Sequence, residues 1–279
     1  MSYKIVVDSC GELTEEMKRS GHYTTASLSM QVDGTEVVDD ETFDQARFLK
    51  LVAQSPQCPK SSCPSPEEYM SLYSCGADRI YVVTLSSELS GSYNSAKLGQ
   101  KLFEEEHGGK QIYVFNSRSA SVGETLIALK IQECEEQGMD FEQVTACVES
   151  YIKGQNTYFV LENLDTLRKN GRLTGIKSLV ASALNIKPVM GSTPKGTICQ
   201  LGQARGIKRA LAKMADYIVD NAENAEQKTL AIAHCNCPER AEQVRRMLLD
   251  KVKVRSSFVV DTAGISTMYA NDGGIIVVL

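Results

Sequence analysis

Short apolar runs alternate along this chain with longer stretches whose apolar residues recur at helical spacing. Lys4 to Val7, Arg79 to Thr84 and Gln111 to Phe115 are rich in β-branched and aromatic residues, the composition of buried strands. Each run ends in a polar loop, respectively Asp8-Ser9, Ser86 to Ser92 and Asn116-Ser117, and each loop leads into a predicted helix. Those helices cover Glu12 to Lys18, the segment reaching about Glu106, and Ala120 to Gln137, with another over Phe141 to Lys153. The repetition predicts a parallel sheet, because parallel neighbours must be joined by crossovers. Between the first two runs, His22 to Met30 alternates polar and apolar residues. Asp33-Gly34 then turns into Thr35 to Val38, which predicts a hairpin-like pair. Phe43, Ala46, Leu49 and Val52 share one face of a helix over Phe43 to Ala53, and Glu67 to Ser74 forms the next.

Near Gly154-Gln155-Asn156 the pattern changes. Thr157 to Leu161 reads as a strand, and Leu164 to Leu173 as a short helix that stops at Gly171. Further strands are predicted over Lys187 to Met190, Thr197 to Gln200, Thr229 to Ala233, Ser257 to Val260 and Ile275 to Val278. Helices are predicted over Ile207 to Asn221 and Pro238 to Leu249, the latter with proline in its first turn. More strands than helices means a two-layer unit with a mixed sheet. The expected architecture is therefore α/β with two domains: a three-layer parallel-sheet domain over residues 1–155 and a two-layer mixed-sheet domain over 156–279. A length of 279 residues suits two domains of ~150 residues each.

Composition narrows the function classes. A hydrophobic content of 42% and a charged content of 23% belong to a globular chain, so neither disorder nor a fibre is expected. No apolar run approaches the ~18 residues of a membrane span, and Met1 to Asp8 lacks the apolar core of a signal peptide. The expected location is the cytoplasm. A net charge of −5 without a long basic run speaks against a nucleic-acid partner. Nine cysteines, odd in number and scattered, favour reduced thiols over a disulfide framework. Cys235 and Cys237 are the closest pair; with three histidines and no second close pair nearby, structural thiols are favoured over a zinc site.

The candidate chemistry lies in Ser86 to Ala96, where a strand ends in a hydroxyl-rich turn that opens a helix. Ser90 and Ser92 can offer hydroxyls beside the free N–H groups of the helix start, a combination suited to a carboxylate or phosphate. Helix capping alone accounts for the same residues. A second cluster, Ser61-Ser62-Cys63-Pro64-Ser65, is held extended by Pro59, Pro64 and Pro66, because each ring fixes φ. Arg172 follows a helix-ending glycine, and Arg205 precedes Lys208 and Arg209; either can be a site residue or a solvated charge. Neither serine lies in Gly-x-Ser-x-Gly, so a serine hydrolase is disfavoured. Gly-x-Gly-x-x-Gly and Gly-x-x-x-x-Gly-Lys-Ser/Thr are both missing, which weakens dinucleotide or ATP binding, and no cofactor is expected.

The chain resembles the DegV family. The resemblance runs through Val7-Asp8-Ser9, Ser61 to Ser65, Leu85-Ser86-Ser87-Glu88-Leu89-Ser90-Gly91-Ser92-Tyr93, Leu167 to Leu173 and Arg205 to Ala210, and it covers nearly the whole sequence. It implies a non-catalytic carrier that holds a long-chain fatty acid between its domains and, in many bacteria, serves as the acyl-binding subunit of fatty acid kinase. Carried over residue by residue, it points to Ser62 and Ser90 as carboxylate ligands, with Ser61 a near neighbour and Arg172 lining or supporting the site. The implied partners are the fatty acid, a separate kinase subunit that binds ATP and docks at Arg205, Lys208 and Arg209, and transiently a membrane. Burying ~14 methylenes at ~0.8 kcal/mol each gains on the order of 11 kcal/mol, against ~4–15 kcal/mol for lost freedom, so the tail sets affinity and the hydroxyls set orientation. An enzyme acting on an acyl or phosphorylated small molecule through the same serines is the alternative. Two departures stand out. Cys63 occupies the glutamine position of the family's Thr-Ser-Gln-Pro-Ser, and Thr267 to Gly274 replaces a His-x-Gly-Pro-Gly-like loop. Met268, which cannot donate a hydrogen bond to a carboxylate, is assigned to the histidine's position.

Overall fold

The computed structural model describes residues 2–173 and 185–279. β1 (Tyr3–Asp8) is followed by α1 (Glu15–Arg19), capped by Thr14, and by β2 (Tyr23–Ala26), which pairs parallel with β1. β3 (Ser29–Val32) and β4 (Thr35–Val38) form a hairpin; α2 (Gln45–Gln54) then leads to β5 (Lys60–Ser62), which pairs antiparallel with β3. α3 (Pro66–Tyr73), β6 (Arg79–Thr84), α4 (Ser92–Glu106), β7 (Gln111–Asn116), α5 (Val122–Glu136) and α6 (Phe141–Lys153) complete this half. The main sheet has the order β2-β1-β6-β7 and every pair in it is parallel. Tyr69, Tyr73 and Phe103 from α3 and α4 pack on Val6, Ile80 and Val82. On the other face, Ile127, Ile131 and Val148 from α5 and α6 pack on Ile5, Tyr81 and Phe115, which makes the expected three layers.

One stretch read as a unit is split. His22 to Met30 was expected to join the hairpin, but its first part is the fourth strand of the parallel sheet and only its last residues begin the small antiparallel one. The division falls at Ser27-Leu28, where the Leu28 N–H leaves the ladder and bonds Ser9 Oγ at 3.0 Å. Alternation reports that one face is buried, not which sheet buries it.

The second half begins with β8 (Thr157–Val160) and α7 (Asp165–Lys169) and resumes with β9 (Ile186–Ser192), β10 (Ile198–Arg205) and α8 (Ile207–Asn221). It ends with β11 (Thr229–His234), α9 (Pro238–Leu249), β12 (Ser256–Asp261), α10 (Gly264–Ala270) and β13 (Ile275–Val278). The sheet order is β10-β9-β8-β13-β11-β12, with β11–β12 parallel and the other pairs antiparallel. α8 and α9 cover one face through Leu211, Met214, Ile218 and Val244. On the opposite face Leu167 of α7 and Ala270 of α10 pack by Phe159, Leu161 and Met190. Ala231, Ala233 and Val278 pack there on Val122 and Leu126 of α5. The mixed α/β unit is thus as predicted, and the face that α8 and α9 leave open turns in part toward the parallel-sheet half. Among the described residues, α10, the short strand β5 and a 3-10 turn at Ala225–Gln227 are elements that the sequence pattern did not announce. Among the described residues no helix is long and apolar enough to cross a membrane.

Candidate functional site

A pocket with about 770 Å³ of empty space, counting open solvent at its mouth, lies where the six-stranded sheet meets the loops of the parallel sheet. Phe159 of β8, Leu161 just after it, Ile198 of β10 and Ile276 of β13 form its sheet wall, faced by Leu85, Leu89 and Ile265. Several hydroxyl residues also line it, yet their polar atoms are occupied. Ser119 and Thr157 bond each other at 2.6 Å across the two halves, and Ser192 Oγ accepts from the Thr157 N–H at 3.1 Å. Ser121 Oγ donates to Glu12 at 2.8 Å, and Ser266 Oγ donates to the Cys10 carbonyl at 3.1 Å. A buried polar group paired within the protein leaves an apolar surface for a ligand.

The mouth is polar. Arg172 Nε donates to the Leu89 carbonyl at 3.1 Å, another guanidinium nitrogen donates to the Asn170 carbonyl, and the cation sits 5.9 Å from the centre of the Tyr269 ring. The Tyr269 hydroxyl lies 3.0 Å from Ser61 Oγ. Burial raises the pKa of Tyr269, so its hydroxyl keeps the proton it can donate. The two serine-rich segments do meet here. Cys63 Sγ is 3.8 Å from Ser95 Oγ, and a Cβ at Gly91 would stand 3.2 Å from that sulfur.

Within the two segments the residues divide differently from expectation. Successive strand residues point to opposite faces, so β5 can turn only one serine toward Tyr269. That residue is Ser61; Ser62, expected as the ligand, is exposed on the other face and pairs with Ser29 along the ladder. Ser90 is half-buried and its Oγ accepts from the Ser92 N–H at 3.2 Å, a turn-closing bond that leaves the hydroxyl proton free. Ser92 is fully engaged: its Oγ donates to Asp8 at 2.6 Å and lies 2.6 Å from the Tyr69 hydroxyl. Met268 is buried beside Met30 and Phe48; one residue further along α10, Tyr269 is the side chain that reaches the pocket. A helix turns ~100° per residue, so a one-residue shift in alignment exchanges core for site. Arg205, Lys208 and Arg209 are exposed and do not line the pocket. Among the described residues no group of three or more His, Cys, Asp or Glu side chains could hold a metal, and all nine cysteines are free.

The loops around the pocket are tied down by buried carboxyl groups, of which only Asp8 lies in a stretch that the sequence singled out. Asp8 accepts from the N–H groups of Leu85 at 2.8 Å and Cys10 at 3.2 Å, as well as from Ser92. Burial still raises its pKa. Glu124 beside it is raised well above the carboxyl range, first by burial and then by the Asp8 charge, so it carries a proton. Neither of its oxygens has a hydrogen-bond partner among the described residues. Glu12 is pushed up to about 7 by burial. It receives Ser121 Oγ and, at 3.4 Å, the Ala263 N–H before α10.

The fold and the pocket define a two-domain α/β protein with an apolar pocket and a hydrogen-bonding mouth. A family model described as that of uncharacterised DegV proteins matches residues 2–278, and the chain belongs to the DegV family. A DegV domain-containing protein of Streptococcus pyogenes serotype M1 is 33% identical over 279 residues, covering 99% of this chain and 98% of that protein. A DegV family structure from Ruminococcus gnavus, refined with vaccenic acid, is 65% identical, covers 100% of both chains and superposes with a TM-score of 0.98. The Streptococcus pneumoniae fatty acid kinase (Fak) B3 protein loaded with linoleic acid is 29% identical, covers 100% of this chain and 99% of its own, and has a TM-score of 0.88.

Proposed function

We propose that this protein binds one long-chain fatty acid in the pocket between residues 1–155 and 156–279, and that it catalyses no reaction by itself. The observation that carries the reading is the contrast within one cavity: side walls whose polar groups are already paired, and a mouth where Arg172, Tyr269 and Ser61 gather, with Ser90 next in the chain to Leu89, whose carbonyl Arg172 holds. An acyl chain suits the first and a carboxylate the second. The carboxylate accepts from the Tyr269 and Ser61 hydroxyls and from Ser90, with the Arg172 charge beside it, at ~1.5–3 kcal/mol for each charge-assisted bond. The vaccenic acid in the Ruminococcus gnavus protein supports the same reading. Native mass spectrometry of the protein as purified, followed by organic extraction, tests it: a bound long-chain acid is expected, and failure to take up any acid after incubation overturns it.

The Fak B3 likeness supports a second step, presentation of the carboxylate to a separate kinase subunit that supplies the ATP. Arg205, Lys208 and Arg209 form an exposed basic group suited to steering an acidic partner. Acyl phosphate should form when the loaded protein is mixed with the host's kinase subunit, and charge reversal at Arg205 should slow it. No phosphorylation with the wild type removes the kinase role; an unimpaired reversed variant removes only the docking site.

A further inference from the structure

α10 carries Tyr269 into the mouth, but it lacks a cap of its own. Its N-cap is Ala263, which has no side chain able to accept the free N–H groups of the first turn. Asp39 performs that task from 225 residues away: its two carboxylate oxygens accept from the Gly264 N–H at 2.7 Å and the Ile265 N–H at 2.8 Å. Asp39 is 3% exposed and directly follows β4; its own N–H is held by the Leu28 carbonyl at 2.9 Å. The same three-stranded sheet ends in Ser61 on β5. One small sheet therefore supplies one mouth hydroxyl and grips the helix that supplies the other.

Gly264 gives an independent sign that this grip is built in. A Cβ there would lie 2.6 Å from an Asp39 oxygen and 2.5 Å from the Met30 methyl. Only glycine lets the helix start come close enough for both N–H groups to reach the carboxylate. Burial pushes Asp39 up to about 6, first through desolvation, so at pH 7.5 it is charged and can accept both bonds.

We infer that Asp39 is a positioning residue for the head-group site: by capping α10 from the sheet that bears Ser61, it sets the separation of the Ser61 and Tyr269 hydroxyls and so the recognition of a carboxylate. The inference rests on the fatty-acid reading of the pocket. Oleic acid and oleyl alcohol share a tail and differ at the head, so their affinity ratio reports head-group geometry while a loss of general stability lowers both together. Titrations at pH 7.5 with wild type, Asp39→Ala, Asp39→Asn and Gly264→Ala are the test. Asp39→Ala should weaken oleic acid about tenfold and the alcohol less than about twofold. Gly264→Ala should move the ratio in the same direction, and Asp39→Asn, which keeps one acceptor, should fall between. In a Tyr269→Phe, Ser61→Ala background the Asp39 substitution should cost nothing further, since no hydroxyl remains to position. If Asp39→Ala does not fold, the other two variants carry the same comparison. An unchanged ratio in the folded variants, or equal losses for acid and alcohol, overturns the inference alone. Wild-type protein that binds neither ligand overturns the fatty-acid reading and this inference with it.

Discussion

On the parallel-sheet side of the pocket, Asp8 collects three donors, from Leu85, Cys10 and Ser92, while Glu12 and Asp39 each collect two. On the opposite side, Phe159 and Ile276 stand opposite each other on a hydrogen-bonded ladder, and apolar packing holds them. The difference follows from what each wall is made of. Strand residues are positioned by their own backbone pairing, so side chains there are free to be apolar. Loop residues have no ladder, and their exposed N–H groups must be met by side chains if the loops are to lie buried. Directional bonds fix the mouth, whereas apolar area supplies the grip on a tail.

The largest effect should come from breaking the directional side. Asp8→Ala leaves three buried donors without partners and is expected to cost ~3–5 kcal/mol of stability in urea unfolding. A cost under about 1 kcal/mol would mean that water replaces the carboxylate and the loops are held by other contacts. Acidity should probe the same side without mutation. Burial raises Glu12 from 4.5 to about 7 and Asp39 from 3.8 to about 6, and it holds Glu124 above its ordinary range. The folded chain then keeps protons that the unfolded chain has released, so stability falls as pH rises from roughly 4 to 7, by on the order of a few kcal/mol. The melting temperature should be higher at pH 5 than at pH 8, and Glu12→Gln should flatten the slope; a slope of the opposite sign contradicts the buried assignments.

Ligand measurements set mouth against wall. Ser61→Ala and Tyr269→Phe should each weaken oleic acid by ~1–3 kcal/mol with little change in oleyl alcohol. Phe159→Ala should weaken both ligands alike, by ~1–3 kcal/mol, since it removes tail contact only. Phe159→Ala acting on the acid alone would mean that the tail does not lie against the six-stranded sheet. The smallest effect is expected from Ser62→Ala, within about 0.5 kcal/mol in binding and stability, as for other exposed positions. A loss comparable to that of Ser61→Ala would restore Ser62 as the ligand.

The helices over Phe141–Lys153 and Ile207–Asn221 have the bounds that their sequence periodicity predicts. The first also carries a capping box from Asp140 with Gln143, a stop–start signal written within a few residues. Strands of the two main sheets, apart from β2, were legible for a related reason: burial on one or both faces leaves a pattern in neighbouring residues. α10 was not, because its cap is Asp39 in another sheet and its first residue is a glycine whose value lies in a long-range contact. Two adjacent serines, Ser61 and Ser62, are equivalent as chemistry, and the register of β5 on β3 alone chose which one meets Tyr269. Glu12, Asp39 and Glu124 look like any surface acids when read along the chain. Periodicity and caps are local properties that a sequence carries openly, whereas burial of a charge and the facing of a hydroxyl depend on which distant backbone groups arrive beside them.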